Sequence, residues 1–254
     1  MGVIIKTTQE IKDLREGGKR LARILAEVSK AVRPGVSTDT LDDLAHDLIV
    51  KGGDEPAFLG YKPEGHHRAF PASLCTSVNN EIVHGIPSPS RILKEGDIIS
   101  IDLGLKHKGL FTDHAITVAV GAISKNSEKL LHDTKEAMMI GIAEAKAGNT
   151  VGDIGYAIEQ FVARRYGIVR ELSGHGVGKH IHEDPFIPNY GKKGKGEKLR
   201  PGMVIAIEPM LTLGSPAIIS LDDGYTIKTS DGSRAAHFEH TVLITDGEPE
   251  ILTQ

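Results

Sequence analysis

The sequence predicts an α/β fold built from two halves of similar plan. Its 254 residues are enough to bury a substantial hydrophobic core. Helical periodicity is followed by strand-like runs, and the same order begins again near residue 127. Short motifs also recur in the same order in both halves. Two such halves would pack as partners related by a pseudo-twofold axis.

The first half begins with two predicted helices. Residues 8–33 carry apolar side chains at helical spacing, and the Pro-Gly pair at 34–35 ends that helix. A second helix follows Ser37. Residues 54–72 contain turn formers with little periodicity, which predicts a loop. Strand-like runs come next, at 74–83, 97–103 and 110–120.

The second half repeats this order. Helices are predicted over 127–147 and 151–166, with Gly148 between them. Three more strand-like runs follow, at 202–208, 224–229 and 238–245. No linker or low-complexity segment interrupts the pattern. We therefore expect residues 1–254 to form a single domain.

The repeat extends to individual residues. The segment LKEGDIISID, which ends at Asp102, matches LRPGMVIAIE, which ends at Glu208. The segment DHAITVAVG begins at Asp113 and matches EHTVLITDG, which begins at Glu239. The tripeptides HGI and HGV form a further pair. Chance similarity between two hairpins is the alternative, but an unchanged order with acids at matched positions favours a true repeat.

An acid stands at the end of an otherwise apolar strand, DIISIDLG at 97–104. A lone buried carboxylate costs several kcal/mol unless it is paired, neutralised or bound to a cation. We expect the following turn to be centred between His107 and Lys108. Asp102 and Asp113 would then lie directly opposite each other, with Cβ atoms about 4.5–5.5 Å apart.

Two carboxylates at that distance repel each other, so a proton, a lysine or a metal cation must lie between them. Glu208 and Glu239 add two acids in corresponding positions, and four converging acids favour cations. Two divalent cations would balance four carboxylates, and oxygen ligands with one imidazole suit Mn²⁺, Fe²⁺, Co²⁺ or Zn²⁺. The glycine-rich segment GHGVGKHIHEDP offers three histidines for that imidazole: His175, His180 and His182.

Five motifs together resemble the type I methionine aminopeptidases, and the resemblance covers essentially the whole chain. They are HGIP at 84–87, IDLGLKHKGLFTDHA at 101–115, GHGVGKHIHEDP at 174–185, IEPM at 207–210 and FEHT at 238–241. The resemblance implies the pita-bread fold, in which a central antiparallel sheet is flanked by helices and the two halves are related by a pseudo-twofold axis. It also implies a single catalytic peptidase domain.

The same resemblance implies a metal centre with five ligands. Asp102 would chelate one metal, and Asp113 with Glu239 would bridge both metals. His175 and Glu208 would complete the second metal. A hydroxide held between the metals would attack the first peptide carbonyl, since metal binding lowers the pKa of water towards neutrality.

Further roles follow from the resemblance. Glu208 would also be the general base. His84 and His182 would be catalytic histidines that are not ligands, His182 stabilising the oxyanion and His84 lying near the scissile nitrogen. The methionine pocket would be formed by six residues, for each of which ordinary core packing is the alternative: Phe58, Tyr61, Phe70, Cys75, Ile181 and Tyr225.

The remaining histidines are assigned to other roles. His114 and His240 directly follow predicted ligand acids on strands, so they should point to the opposite sheet face and be structural. His66 and His67 lie in a predicted loop and should be solvated. His180 is expected at the rim of the site.

Composition limits the class of protein. Hydrophobic residues make up 39% and charged residues 25%, with a formal charge of −4 and a pI near 6.3, which excludes a globally basic nucleic-acid binder. Cys75 is the single cysteine, so no intrachain disulfide can form. We expect no signal peptide and no bilayer-spanning segment. A cytoplasmic location is therefore predicted. We also expect a monomer, although the composition does not specify the oligomeric state.

The substrate implied by the resemblance is the N-terminal methionine of nascent polypeptides. A basic run, GKKGKGEKLR at 191–200, would suit transient contact with ribosomal RNA, although such a run would equally suit a solvated loop.

Three related classes are alternatives. Proline-specific aminopeptidases and prolidases use similar ligands but resemble chains with an additional N-terminal domain. Type II methionine aminopeptidases carry a helical insertion that the short 182–208 interval lacks. A non-catalytic peptide-binding relative should have lost ligands, whereas all five are present here.

Overall fold

A nine-stranded antiparallel sheet forms the centre of the computed structural model, which describes residues 2–63, 65 and 67–254. Its strands are β1 (Glu55–Pro56), β2 (Leu74–Val78), β4 (Ile98–His107), β5 (Leu110–Ala119), β7 (Gly174–Gly176), β8 (Glu183–Ile187), β9 (Val204–Ile207), β14 (Glu239–Leu243) and β15 (Glu250–Ile251). A small sheet contains β6 (Gly167–Ile168), β10 (Met210–Thr212) and β13 (Ala235–His237), and another contains β3 (Glu81–Val83), β11 (Ile218–Ser220) and β12 (Ile227–Thr229).

The helices lie close to the predicted segments, and the first three begin at side-chain caps. They are α1 (Thr8–Ala31), α2 (Thr38–Lys51), α3 (Lys125–Ala143) and α4 (Val151–Val162). The Thr7 hydroxyl accepts from the backbone N–H of Glu10, whose carboxylate accepts from the N–H of Thr7 in return. Helix α4 ends four residues before its predicted end, because Ala163 adopts a φ of 49°.

The strands that carry the matched motifs are neighbours in the main sheet. Their order is β4, β5, β14, β9, so each half contributes one central and one outer strand. At the junction of the halves, His114 pairs with His240 and Ala115 with Glu239. This arrangement is that of two halves about a pseudo-twofold axis, and the predicted α/β fold class with a central antiparallel sheet is confirmed.

Helices cover one face of this sheet and leave the other face to the acids. Ile99, Ile101 and Leu103 pack into a core with the apolar sides of α1 and α2. In the second half, side chains of β9 and β14 pack with α3 and α4. Because side chains alternate along β4, Asp102 points away from the helices. Within the described residues, no helix has the length and apolar character needed to cross a bilayer.

The turn of the β4–β5 hairpin lies one residue later than expected. Lys108 and Gly109 form a two-residue loop, and His107 pairs with Leu110. Both loop residues have positive φ, 49° and 81° respectively. Two-residue hairpin turns of type I′ require this conformation and favour glycine at the second position. The glycine therefore determines where the chain reverses.

This shift corrects the predicted pairing of two acids. Asp102 pairs with Ala115, and Asp113 pairs with Gly104, so the two acids do not face each other directly. They are diagonal neighbours on one face of the hairpin. Displacing the register by two residues keeps the side-chain faces, because strand alternation has a period of two. The acids therefore remain close despite the wrong register.

Several other strands differ from the sequence pattern. The predicted run at 74–83 divides into β2 and β3 because Asn79 takes a φ of 58° and starts a turn. The run at 224–229 contracts to β12. Among the described residues, eight short strands outside the predicted runs, including β7, β8 and β13, have two to five residues each. Segments of that length show too little alternation to be recognised.

Candidate active site

Four buried carboxylates converge on the uncovered side of the main sheet. Asp102 lies on β4, Asp113 on β5 and Glu239 at the start of β14, while Glu208 directly follows β9. None is more than 8% exposed. The repeat therefore brings its matched acids to one place.

Burial raises the pKa of all four carboxyl groups, and repulsion from neighbouring acids adds to the effect at Asp102, Asp113 and Glu239. Burial raises the pKa of Asp113 to about 7, with the charge of Glu208 as the next cause. Burial also raises the pKa of Glu208 to about 8. The pKa values of Asp102 and Glu239 are raised well above the usual range, by burial and then by Asp113. Oδ1 of Asp102 and Oε1 of Glu239 have no hydrogen-bond partner among the described residues.

One imidazole faces this cluster. Nδ1 of His175 lies 2.9 Å from the carbonyl oxygen of Gly176, to which it can donate, leaving the lone pair of Nε2 free. Nε2 lies 3.5 Å from Oε1 of Glu208. It lies 4.0 Å from both Oδ2 of Asp113 and Oε1 of Glu239. Burial lowers the pKa of His175 to about 3, so its ring is neutral at pH 7. A neutral imidazole among carboxylates is a metal-binding arrangement.

Two further histidines border the cluster. His84 directly follows β3 and has a φ of 58°, a conformation that is costly for a residue with a Cβ and common at functional sites. The ring of His182 packs edge-on against His175, with centroids 4.5 Å apart. Nδ1 of His182 lies 2.8 Å from the hydroxyl of Tyr61. Burial lowers the pKa of His182, so its ring is also neutral at pH 7.

A mainly apolar cavity of about 270 Å³ opens beside the acids. The structure brings the predicted pocket residues into one cluster, with Tyr61 at its edge: Phe58, Phe70, Cys75, Ile181 and Tyr225. Gly104 leaves room for the ring of Phe58, since a Cβ at that position would lie 2.6 Å from Cε1. Strand β4 thus carries Asp102 of the acid cluster and, two residues later, contacts the cavity wall at Gly104.

A second cavity, also of about 270 Å³, lies on the other side of His84 and His182. The two cavities share these histidines and three residues of the acid cluster: Asp102, His175 and Glu208. The wall of the second cavity is partly apolar and includes Val83, Leu172, Phe186 and Met210. A peptide lying across the site could occupy one cavity on each side of the acids.

The remaining histidines are arranged as the alternation predicts. The rings of His114 and His240 stack on each other, with centroids 4.5 Å apart. They make hydrogen bonds to the carbonyl of Glu239 and the hydroxyl of Thr253, which suits a structural role. His67 and His180 are exposed. His66 lies outside the described residues.

Sequence reasoning assigned no role to His237, a buried histidine beside the acid cluster. His237 is 1% exposed, and its Nε2 lies 3.2 Å from Oε2 of Glu208 and 4.0 Å from Oε2 of Glu239. Burial lowers its pKa to about 3. The sequence signal for His237 was its position two residues before Glu239 in a buried, strand-like segment. Residues two apart in a strand lie on the same face, so His237 should lie on the face that carries Glu239.

Comparisons with known proteins agree with this geometry. Residues 12–246 match the model of metallopeptidase family M24. The chain is 47% identical over 252 residues to a methionine aminopeptidase of Clostridium acetobutylicum, covering 99% of this chain and 98% of that relative. The crystal structure of methionine aminopeptidase from Rickettsia prowazekii matches with a TM-score of 0.95 and 38% identity over the full length of both chains.

A prolidase from Pyrococcus horikoshii shares the fold, with a TM-score of 0.77. It is 24% identical, and the match covers 99% of this chain but only 63% of the prolidase chain. This likeness concerns the fold alone.

Proposed function

Because the chain belongs to metallopeptidase family M24 and resembles methionine aminopeptidases over its full length, we propose that it removes the initiator methionine from new polypeptides whose second residue is small. The observation that carries this proposal is the convergence of four buried carboxylates and a neutral imidazole beside a mainly apolar cavity. Residues 1–254 would form one catalytic domain.

The residues fit a pair of divalent cations. Four carboxylates with raised pKa values would be neutralised by two divalent charges, and the unpaired oxygens of Asp102 and Glu239 are available as donors. Asp102 would hold one cation, with Asp113 and Glu239 shared between both. His175 and Glu208 would hold the other. The donor set of oxygens with one imidazole suits Mn²⁺, Fe²⁺, Co²⁺ or Zn²⁺.

When bound, such cations would polarise the scissile carbonyl and make water more acidic. Glu208 would accept and release a proton at its carboxylate, which lines both cavities beside the other acids. His84, on the boundary of both cavities, would hydrogen-bond near the scissile nitrogen.

His182 would donate a hydrogen bond to the oxygen that gains negative charge. A neutral imidazole carries one proton, and a hydroxyl that donates to Nδ1 keeps that proton on Nε2. The hydroxyl of Tyr61 lies 2.8 Å from Nδ1 and can make this contact. Tyr61 would therefore orient the donor in addition to lining the cavity.

The first side chain of the substrate would enter the aromatic cavity. A wall of Phe58, Phe70 and Tyr225 with the sulfur of Cys75 favours an unbranched thioether over charged or β-branched side chains. The second residue would lie beside His84 and the acids, where space favours small side chains.

Release of free methionine from a Met-Ala-Ser peptide tests this proposal. We expect release by the metal-loaded enzyme, loss after chelation and recovery with one of the four divalent metals. The proline-specific alternative is not favoured, since relatives matching over the full length are named methionine aminopeptidases. Cleavage of Xaa-Pro bonds after any first residue would support that alternative, and full activity without metal would contradict the metal centre.

We further propose a cytoplasmic monomer that contacts the ribosome transiently. The basic residues Lys192, Lys193, Lys195, Lys198 and Arg200 are exposed on the 191–200 segment, beside the start of α4. Such a cluster favours phosphate contacts that weaken with salt.

A further inference from the structure

His237 is a buried imidazole that the proposed reaction does not use. It ends β13, where it pairs with Met210, and it precedes Glu239 by two residues. Among the described residues, neither Nδ1 nor Nε2 has a hydrogen-bond partner. Buried polar atoms without a partner are rare, so each one calls for an explanation.

The ring lies beside the outer oxygens of two proposed ligands. Nε2 of His237 is 3.2 Å from Oε2 of Glu208 and 4.0 Å from Oε2 of Glu239. His175 approaches the other oxygen of each carboxylate. Its Nε2 lies 3.5 Å from Oε1 of Glu208 and 4.0 Å from Oε1 of Glu239. Each glutamate therefore lies between two imidazoles, one on each side.

The backbone of His237 is held firmly in place. The hydroxyl of Thr117 accepts from its N–H and donates to its carbonyl, both at 2.8 Å. The hydroxyl of Ser100 lies 2.8 Å from that of Thr117 and continues the network to β4. Because hydrogen bonds hold both its backbone N–H and its carbonyl, His237 keeps its ring directed towards Glu208.

We propose that His237 is a positioning residue for Glu208, presenting Nε2–H to Oε2 so that Oε1 stays turned towards His175. This inference rests on the proposed metal centre and adds a residue outside its five ligands. The separation of 3.2 Å is already a hydrogen-bond distance, and a small rotation of either side chain would align the N–H with the oxygen. Groups that orient metal ligands in this way commonly change metal affinity or activity 10–100-fold when removed.

Two substitutions separate this role from simple core packing. His237→Ala removes the donor, and we expect metal affinity, measured by calorimetry on the chelated and reloaded protein, to fall about 10–100-fold, with a matching fall in kcat. His237→Gln retains an N–H donor at similar reach and should restore both to within about threefold of wild type. His132→Ala is the control for histidine removal, because the side chain of His132 on α3 is exposed.

Visible spectra of the Co²⁺-loaded proteins distinguish positioning from direct ligation. In the positioning role, His237→Gln keeps the wild-type ligand-field bands, because no ligand is exchanged. A changed spectrum with no rescue would make His237 a ligand and overturn the proposal. Wild-type metal affinity and kcat in His237→Ala would overturn it as well. Should wild type itself bind no metal or release no methionine, the proposed function fails first, whatever the variants do.

Discussion

The contact between Tyr61 and His182 allows a quantitative prediction. Tyr61→Phe removes the hydroxyl that lies 2.8 Å from Nδ1 of His182 while keeping the ring that lines the cavity. A hydrogen bond between neutral groups contributes about 0.5–1.5 kcal/mol. If that contact serves only to orient His182 during reaction, kcat should fall about 2- to 13-fold, since 1.36 kcal/mol corresponds to a tenfold change in rate.

Steady-state kinetics on Met-Ala-Ser provide the assay. We expect the loss in kcat with KM changed less than about twofold, because the aromatic wall of the cavity is retained. A variant that lost first-residue binding would instead raise KM with kcat unchanged.

Tyr166→Phe is the matched control. It removes a hydroxyl that donates to Asp133 of α3 at 2.9 Å, a contact that involves no residue of the candidate site, and should leave kcat at the wild-type value. An unchanged kcat in Tyr61→Phe, or equal effects in both variants, would refute the proposed orientation of His182.

Four other outcomes are expected. Asp113→Ala and Glu239→Ala should each leave a folded protein without measurable activity. Groups that only support a metal ligand typically cost roughly 10–100-fold in activity when removed, so a loss of only that size would argue against metal ligands shared by both cations. The metal-free protein should lose thermal stability as the pH rises from about 6.5 to 8, because Asp113 and Glu208, with folded pKa values of about 7 and 8, keep protons that the unfolded chain releases. Below about 6.5 the buried histidines, whose folded pKa values are lowered to about 3, offset this effect, since they take up protons only in the unfolded chain. Metal loading should remove that loss, as melting curves with and without chelator will establish. Met-Ala and Met-Gly peptides should be cleaved about 10–200-fold faster, by kcat/KM, than Leu-Ala or Met-Lys peptides; equal values would refute the specificity but not the hydrolase. Neutralising the basic residues of 191–200 should reduce co-sedimentation with ribosomes at low salt, and unchanged binding would end that proposal.

The acid cluster could be predicted from the sequence because its cause is local. Alternation along β4 puts Asp102 on the face away from the apolar residues that pack on α1 and α2. The internal repeat then relates Asp102 to Glu208 and Asp113 to Glu239. Family membership could also be predicted, because the motifs around these acids are specific.

The hairpin register could not be predicted with the same certainty. It depends on which residues adopt positive φ, and the choice of Lys108 with Gly109 moves the partner of Asp102 from Asp113 to Ala115. The face of each acid was unaffected, because a shift of two residues preserves alternation. Composition and periodicity therefore determined which side chains of β4 are buried against the helices. The turn determined which residue of β5 lies opposite each residue of β4.

Contacts between distant segments were decided by the tertiary structure alone. Tyr61 meets His182 across 121 positions of the chain, from a segment without periodicity. His237 reaches Glu208 only because the short strands β10 and β13 pair and because Thr117 holds its backbone. Neither strand is long enough to show a pattern, and the environment of an imidazole depends on neighbours that sequence spacing does not specify. The sequence by itself thus determined the fold class and the converging acids, whereas the packing of loops and short strands decided which groups orient them.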